Sequence, residues 1–414
     1  MRSLLLGVCL TTVATAQETA VAAPTPTAAM LAALDELEPQ DGWLATPPGM
    51  PRELWDYYRG EFGIAPAGNR PDEAKITLGR MLFFDQRLSE DRTLACASCH
   101  DPRHAFADPR PRSVGIHGNE LARNAPTILN VGLQKRWFWD GRAVSLEEQA
   151  AGPLLNPIEM GMPDRATVVE RIRQEPEYVA LFELAYGRAP GFDDVTRALA
   201  AFQRTLVFVD APFDAFRAGD RGAISEAARQ GFDLFAEHCR SCHPISLRQP
   251  LLSDGNFHNV GVGFDGKDHK ELARAAFARL RQARAERPDA AAPKDELPAG
   301  VVTEFGELGR ALLTSLEYQV GAFRTAPLRN VALTAPYMHD GSLATLWQVV
   351  DHYNRGGRPN TWQDPQIKEL HLSDDQVDQI VAFLFTLTDR RFADANARAF
   401  AAQQRLPRSA SRTR

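Results

Sequence analysis

Apolar side chains recur every three to four residues along much of the chain. This spacing gathers them on one face of a helix. Few segments alternate apolar and polar residues in the manner of a half-buried strand, and none does so over a comparable length. The pattern therefore predicts an all-α protein in which long loops connect the helices. The segments with helical spacing are residues 146–151, 166–173, 177–186, 193–206, 225–238, 345–354 and 373–388.

The predicted helices fall into two groups with a break between them. Pro212 and Gly222 lie in this break, and both residue types are unfavourable inside helices. We predict an N-terminal unit over 73–209, a linker over 210–223 and a C-terminal unit over 224–390.

Three further segments are not among the periodic helices given above. Residues 17–72 are expected to form a leader and an N-terminal arm, because proline and glycine are frequent there. Residues 391–414 are expected to form a tail. An Ala- and Arg-rich stretch within 267–293 is interpreted as a solvated surface helix.

The first sixteen residues have the pattern of a secretory signal peptide. Arg2 precedes an apolar run that starts at Leu4, and Ala14 and Ala16 form a small-x-small cleavage site. No later stretch approaches the ~18 apolar residues that a membrane-spanning helix needs. We therefore expect residues 1–16 to be removed and the product to be exported to the periplasm without a membrane span.

Composition places the chain among ordinary globular proteins and argues against one class of partner. Of 414 residues, 44% are hydrophobic and 24% are charged, and the formal net charge is −6. Proteins that bind nucleic acid usually carry a basic surplus. We expect no nucleic-acid partner.

The five cysteines give the most specific chemical signal. Cys9 lies in the predicted signal peptide, and the other four form two Cys-x-x-Cys-His motifs, as used to attach c-type haem. Each thiol adds to one vinyl group of the porphyrin, and the adjacent histidine supplies an axial nitrogen to the iron. The motifs are Cys96-Ala-Ser-Cys99-His100 and Cys239-Arg-Ser-Cys242-His243.

Other roles of paired cysteines explain the motifs less well. A zinc site typically has its two cysteine pairs ~15 to 20 residues apart, whereas Cys99 and Cys239 are far more widely separated. A redox dithiol would not require a histidine after both pairs. The sequence therefore predicts two covalently attached haem c groups and a function in iron redox chemistry.

Six short motifs, in this order and spacing, resemble those of the bacterial di-haem cytochrome c peroxidase and MauG superfamily. The resemblance covers about residues 73–387. It implies two cytochrome c-like haem domains, the N-terminal one peroxidatic and the C-terminal one for electron transfer, with a calcium ion between them. The motifs are Leu78-Gly-Arg-Met-Leu-Phe-Phe-Asp85, Arg123-Asn-Ala-Pro-Thr127, Phe138-Trp-Asp-Gly-Arg142, Asn156-Pro-Ile-Glu-Met-Gly161, Leu328-Arg-Asn330 and Pro336-Tyr-Met-His-Asp-Gly341.

The resemblance also implies roles for individual residues. Glu159 becomes the general acid/base beside the first haem and Gln149 a hydrogen-bonding group that positions peroxide, because peroxide cleavage needs a group that takes and returns a proton. Trp139 corresponds to the tryptophan between the two haems. The implied calcium ligands are the hard oxygen atoms that this ion prefers: the side chain of Asn124 and the carbonyl oxygens of Thr334 and Pro336.

The axial ligands beyond the two motif histidines are where the chain departs from the peroxidases. Where a reductively activated peroxidase has a histidine that caps the first iron, this chain has Ile116, and His117 follows one residue later. His117 could cap the iron after a loop shift, or it could be an ordinary loop residue. An uncapped first haem would be the MauG-like condition.

The second axial position also has two candidates. Tyr353 stands where the peroxidases have an axial methionine, and its spacing from Leu346 and Val350 puts it on the apolar face of a predicted helix. Met338 is the rival ligand. Phenolate ligation would favour oxidised iron, whereas thioether ligation raises the potential.

These features predict an enzyme that reduces hydrogen peroxide at the first haem and relays the oxidising equivalents through Trp139 to a Tyr353-ligated second haem. Its partner would be a small periplasmic redox protein or, as in MauG, a protein oxidised at an aromatic residue. A cytochrome c peroxidase that takes electrons from a small cytochrome c is the alternative. A non-enzymatic di-haem electron carrier is a third, against which Glu159 and Gln149 argue.

Overall fold

A computed structural model describes residues 28–38, 45–59, 66–246, 250–263, 269–286 and 305–409 of the chain. Helices dominate these residues, and the strands among them form a single two-stranded antiparallel ladder of β1 (Phe257–His258) and β2 (Phe323–Arg324). The prediction of an all-α protein with long connecting loops is confirmed. The predicted signal peptide lies outside the described residues. No helix in the described ranges is long and apolar enough to cross a membrane.

The N-terminal helices share one hydrophobic cluster. Two of these helices cross at Gly79, where an added Cβ would lie 2.0 Å from the carbonyl oxygen of Ala198. Only glycine permits such close contact between helix backbones. The helices are α1 (Ala28–Leu37), α2 (Arg52–Arg59), α3 (Glu73–Phe83), α4 (Leu146–Leu155), α5 (Arg165–Arg173), α6 (Pro176–Tyr186) and α7 (Phe192–Thr205).

A second hydrophobic cluster lies in the C-terminal half. Two of its helices cross at Gly231, where an added Cβ would lie 1.8 Å from the carbonyl oxygen of Gln379. The two halves therefore share one packing device, a helix crossing closed by glycine. The helices here are α8 (Pro212–Arg217), α9 (Glu226–His238), α10 (His269–Glu286), α11 (Ala311–Thr314), α12 (Leu346–Asn354), α13 (Asp374–Phe385) and α14 (Ala393–Gln404).

Two segments expected to be irregular contain packed helices. The predicted linker includes α8, whose Phe213 is 1% exposed and belongs to the second cluster. The predicted tail over 391–414 includes α14, where Phe400 packs on Trp347 and Gln403 is buried. Apolar and hydrogen-bonded side chains thus fix α14, which lies within the predicted tail, to the C-terminal half.

Two helices pack more tightly than the sequence predicted. Met30 of α1 is fully buried in the first cluster, although residues 17–72 were expected to form a leader and arm. Helix α10 buries Ala276 and Leu280 against Phe305 and exposes Arg274 on the opposite side, so it is a surface helix whose apolar face packs on the protein.

Candidate functional site

The first Cys-x-x-Cys-His motif forms a tight turn that fixes its histidine. A 3₁₀ turn covers Cys96–Ser98, and the backbone N–H of His100 donates to the carbonyl oxygen of Cys96 at 3.0 Å. The Nδ1 atom of His100 is 3.2 Å from the carbonyl oxygen of Phe106. This hydrogen bond orients the ring and leaves Nε2 free to bind a metal.

The second motif repeats this arrangement at the end of α9. The N–H of His243 donates to the carbonyl oxygen of Cys239 at 3.0 Å, and its Nδ1 lies 2.7 Å from the carbonyl oxygen of Leu252. Leu252 and Phe106, which supply the two accepting carbonyls, both have positive φ angles, of 49° and 56°. Such angles are uncommon outside glycine. Both loops therefore adopt an unfavourable backbone conformation at the residue that holds the histidine.

The electrostatics of both motifs suit haem binding. Burial lowers the pKa of His100 and of His243, which keeps each imidazole neutral and able to bind iron. Burial also raises the pKa of Cys96 and of Cys99 to about 12. The four motif cysteines form no disulfide. This donor set fits a haem held by two thiols and one imidazole at each motif.

Glu159 lies on the loop after α4 and is held by a neighbouring amide. The Nδ2 atom of Asn156 donates to Oε1 of Glu159 at 2.8 Å. Burial raises the pKa of Glu159, while the positive charge of Arg142 and the bond from Asn156 act in the opposite direction. After burial and other neighbours, the charge of Glu159 contributes to the raised pKa of Cys99, so this carboxyl group lies near the first motif. Gln149 is partly buried on α4.

Ile116 and His117 have opposite environments. Ile116 is 1% exposed, and its N–H donates to the carbonyl oxygen of Glu159 at 2.9 Å. The side chain of His117 is 59% exposed, and its Nε2 lies 3.2 Å from Oε2 of Glu90. The buried member of the pair beside Glu159 is therefore the isoleucine, which has no atom that can bind a metal.

A cavity lies next to the second motif, and both candidate axial residues line it. We call this the C-terminal cavity; its walls include Cys239, Cys242, His243, Tyr353, Met338 and Trp139. Burial raises the pKa of Tyr353, and the nearby thiols of Cys239 and Cys242 contribute less to the same effect. The sequence-predicted inward face of α12 is confirmed, because Leu346 and Val350 are buried and line the same cavity.

Comparisons with known proteins agree with this geometry. The family model for the di-haem cytochrome c peroxidases matches residues 73–222. The methylamine utilization protein MauG of Methylorubrum extorquens is 36% identical over 78% of this chain and 80% of the relative. The chain belongs to the di-haem cytochrome c peroxidase and MauG family. It is a haem oxidoreductase, as the sequence predicted.

Further relatives represent both branches of the family. The cytochrome c551 peroxidase of Pseudomonas aeruginosa is 33% identical over 78% of this chain and 81% of the relative. A MauG-like protein associated with microbial copper homeostasis superposes with a TM-score of 0.65 at 31% identity, covering 84% of this chain and 98% of that one. The diheme peroxidase BthA of Burkholderia thailandensis gives 0.59 at 26% identity, with coverage of 78% and 88%.

Trp139 lies between the N-terminal and C-terminal halves of the protein. Its Nε1 donates to the carbonyl oxygen of Asn124 at 2.9 Å, and its own carbonyl oxygen accepts from the N–H of Arg324 at 2.8 Å. The ring contacts that of His339, whose Nε2 lies 2.8 Å from Oε2 of Glu307. Trp139 therefore belongs to the N-terminal half but forms part of the wall of the C-terminal cavity.

The structure also shows an internal repeat that sequence reasoning missed. Residues 137–149 and 337–349, two hundred positions apart, have the same local structure. Each segment contains one isolated β-bridge, Trp137 with Ala143 and Tyr337 with Leu343. Each then enters a helix, α4 or α12, through a side-chain cap, from Ser145 or Thr345. The signal was present in the shared Asp-Gly pairs at 140–141 and 340–341.

The three implied calcium ligands lie close to this repeat. The N–H of Asn124 donates to the carbonyl oxygen of His339 at 2.9 Å, three residues beyond Pro336. Within the described residues, neither Oδ1 of Asn124 nor the carbonyl oxygens of Thr334 and Pro336 accept a hydrogen bond. These three oxygen atoms therefore remain available to a cation.

Proposed function

We propose that this protein is a periplasmic enzyme with two covalently attached haems, which reduces hydrogen peroxide at the N-terminal one. His100 and His243 would hold the two irons, and the adjacent cysteine pairs would form the thioether bonds. The haems supply the iron redox chemistry when bound. The export signal expected over residues 1–16 agrees with this location, since c-type attachment belongs outside the bacterial cytoplasm.

The observation that carries the proposal is the difference between positions 153 and 353. Helices α4 and α12 begin in register two hundred residues apart, so Pro153 is the counterpart of Tyr353. Tyrosine offers iron an oxygen atom, whereas proline offers none. Because the His117 side chain is exposed, neither it nor Pro153 would occupy an iron held by His100, whereas Tyr353 would supply a ligand atom to an iron held by His243.

Glu159 is the proposed general acid/base. Peroxide cleavage needs a group that accepts the proton of one oxygen and delivers it to the leaving oxygen, and a carboxylate can do both. Its raised pKa brings the carboxyl group nearer to the pH at which it can do both, and Asn156 fixes one of its oxygens. Gln149 would hold the peroxide by hydrogen bonding.

Trp139 is the proposed relay between the two haems. Its ring reaches the wall of the C-terminal cavity from the N-terminal half, and its indole N–H has an acceptor within the protein. Tyr353, which lines the same cavity as His243, is the residue that would supply an oxygen ligand to the other iron. An oxygen ligand there would let both haems share the oxidising equivalents, which is the MauG-like arrangement.

The reductant would be a small periplasmic redox protein or an aromatic residue of a partner protein. The alternative is a cytochrome c peroxidase supplied with electrons by a small cytochrome c. One observation favours that alternative: Met338 also lines the C-terminal cavity, where a thioether ligand would raise the potential of the iron. A calcium ion held by Asn124, Thr334 and Pro336 would fit either function.

Peroxide titration of the resting ferric holo-protein tests the proposal. We expect spectra with one high-spin and one low-spin haem, no methionine-to-iron charge-transfer band, and a response of both haems to peroxide without prior reduction. Tyr353→Phe should alter the low-spin signal, and Met338→Leu should not. A requirement for pre-reduction, or a charge-transfer band that Met338→Leu abolishes, would contradict the proposal and support the alternative.

A further inference from the structure

Arg324 is a buried cation in the wall of the C-terminal cavity. Its side chain is 7% exposed, and it lines the cavity together with His243 and Tyr353. Its Nε atom has no hydrogen-bond partner, and its Nη1 atom reaches only the carbonyl oxygen of Thr325, at 3.5 Å. Burial lowers the pKa of Arg324 to about 10, and no carboxylate opposes this effect.

Other cations near the two motifs are neutralised or solvated. His258 of the same cavity lies between the carboxylates of Asp254 and Asp364, at 3.1 and 2.5 Å. Lys368 of the cavity rim is exposed. Near the first motif, Arg110 forms an ion pair with Asp108 at 2.7 Å. Compared with these three cations, all in the part of the chain that the structure describes, Arg324 is buried and has no carboxylate partner.

A buried charge without a partner is unfavourable. Arginine stays protonated in proteins, and the desolvation of a single ion is strongly unfavourable unless an opposite charge offsets it. The cavity that Arg324 faces adjoins Cys239, Cys242 and His243. A haem bound there would bring carboxylate groups on its propionate side chains, and these are anions of the right kind to pair with a guanidinium.

We propose that Arg324 binds a carboxylate of the second haem and that its charge makes this haem easier to reduce. The inference rests on the proposed haem attachment at Cys239 and Cys242. Reduction adds one negative charge at the iron, and by neutralising a carboxylate of the same haem Arg324 would remove a repulsion that opposes this charge. The first haem, whose neighbour Arg110 is already paired with Asp108, receives less of this effect.

The backbone of Arg324 adds a positioning role. Its N–H donates to the carbonyl oxygen of Trp139 at 2.8 Å, and its strand β2 pairs with Phe257. One residue thus contacts the relay tryptophan through its main chain and the haem carboxylate through its side chain. Arg324 is therefore a positioning residue that fixes Trp139 relative to the second haem.

Spectroelectrochemical titration of both haems in the holo-protein tests this inference. In Arg324→Gln, we expect the ratio of reduced to oxidised second haem at a fixed ambient potential to fall about tenfold, the effect of one charge at ~10 Å in a protein environment. Arg324→Lys keeps the charge and should retain most of the wild-type ratio. Arg310→Gln is the matched control, because Arg310 bonds the carbonyl oxygens of Asp140 and Gly141 instead.

An unchanged second-haem ratio in Arg324→Gln, or an equal fall in Arg310→Gln, would overturn the inference. If Arg324→Gln loses its haem or fails to fold, a crystal structure of the wild-type holo-protein decides. We expect the Arg324 guanidinium within hydrogen-bond distance of a haem carboxylate, and a protein carboxylate in that place would also overturn the inference. Neither measurement uses peroxide, so failure of the proposed peroxide reaction would leave both results intact.

Discussion

The rings of Trp139 and His339 meet edge to face, with 6.5 Å between their centroids. The two residues hold the same position in the repeated segments, two hundred residues apart, so the contact joins one half of the protein to the other. The His339 ring in turn stacks on Phe323 at 3.6 Å and bonds Glu307. Trp139 is thereby held on the C-terminal side by a chain of packed rings as well as by hydrogen bonds.

This contact predicts a specific effect of replacing Trp139. In Trp139→Phe, we expect peroxide to react with the first haem at a rate close to that of the wild type, and the response of the second haem to be markedly slower. The reason is that phenylalanine is much harder to oxidise than an indole. Stopped-flow spectroscopy at wavelengths that separate the high-spin and low-spin haems measures both rates.

Trp137→Phe is the matched control for this experiment. Trp137 lies in the same segment and is buried, but its Nε1 donates to the carbonyl oxygen of Val131, and it is not among the residues that line the C-terminal cavity. Equal slowing of the second haem in both variants would mean that Trp139 acts only through packing.

Asn156 should control the pH dependence of the peroxide reaction. Its bond to Glu159 stabilises the ionised carboxylate, so Asn156→Ala should raise the pKa of Glu159 further. The base form exists above that pKa, and the acid limb of the pH-rate profile should therefore move to higher pH. A hydrogen bond to a charged group contributes ~1.5–3 kcal/mol, so the rate below the pKa should fall by roughly tenfold or more.

Two variants serve as references for this profile. Glu159→Gln should slow the reaction by about 10² to 10⁴, the usual contribution of a general acid/base, and should abolish the acid limb. Asn119→Ala removes a loop asparagine that bonds the carbonyl oxygen of Ile116 but not Glu159, and its profile should match the wild type. An unshifted limb in Asn156→Ala would show that the amide does not tune Glu159.

Sequence reasoning reached the parts of the site that depend on local spacing. The two Cys-x-x-Cys-His motifs and the inward face of α12 follow from positions close together in the chain. Arg324 was missed because its significance is the absence of a carboxylate around it, which only the folded structure reveals. Asn156 was recognised within a motif but not as the partner of Glu159, because a loop gives no periodic signal for side-chain direction.

The fold was likewise predicted better in long periodic segments than in short ones. Helix α7, with twelve of its fourteen residues buried, was placed within one residue at each end. Helix α3 was not among the periodic segments, because Gly79 replaces an apolar side chain where the helix backbones touch. The packed helices α1 and α14 lie in stretches whose composition resembles that of loops, and tertiary contacts of Met30 and Phe400 decide their structure.

Ile116 is the position at which a capping histidine would change the first haem. Its side chain is buried, and its backbone is tied to Glu159. Ile116→His should place an imidazole beside the first iron, so the resting ferric protein should react slowly with peroxide until it is reduced. His117→Ala should react like the wild type, because the His117 side chain is exposed and pairs with Glu90. Faster reaction of His117→Ala than of the wild type would identify His117 as the cap.

The glycine at the second helix crossing should couple stability to the second haem. A methyl group on Gly231 would lie 1.8 Å from the Gln379 carbonyl oxygen, so α9 and α13 must separate. Such overpacking typically costs ~1–3 kcal/mol. Helix α9 leads directly into Cys239, and the shift should therefore disturb the low-spin haem more than the high-spin one. Calorimetry and ferric spectra of Gly231→Ala check both effects.

Gly68→Ala is the control, because an added Cβ there meets no atom within 4 Å, and it should change neither stability nor spectrum. An undisturbed low-spin spectrum in a destabilised Gly231→Ala would show that the helix crossing does not affect the second haem.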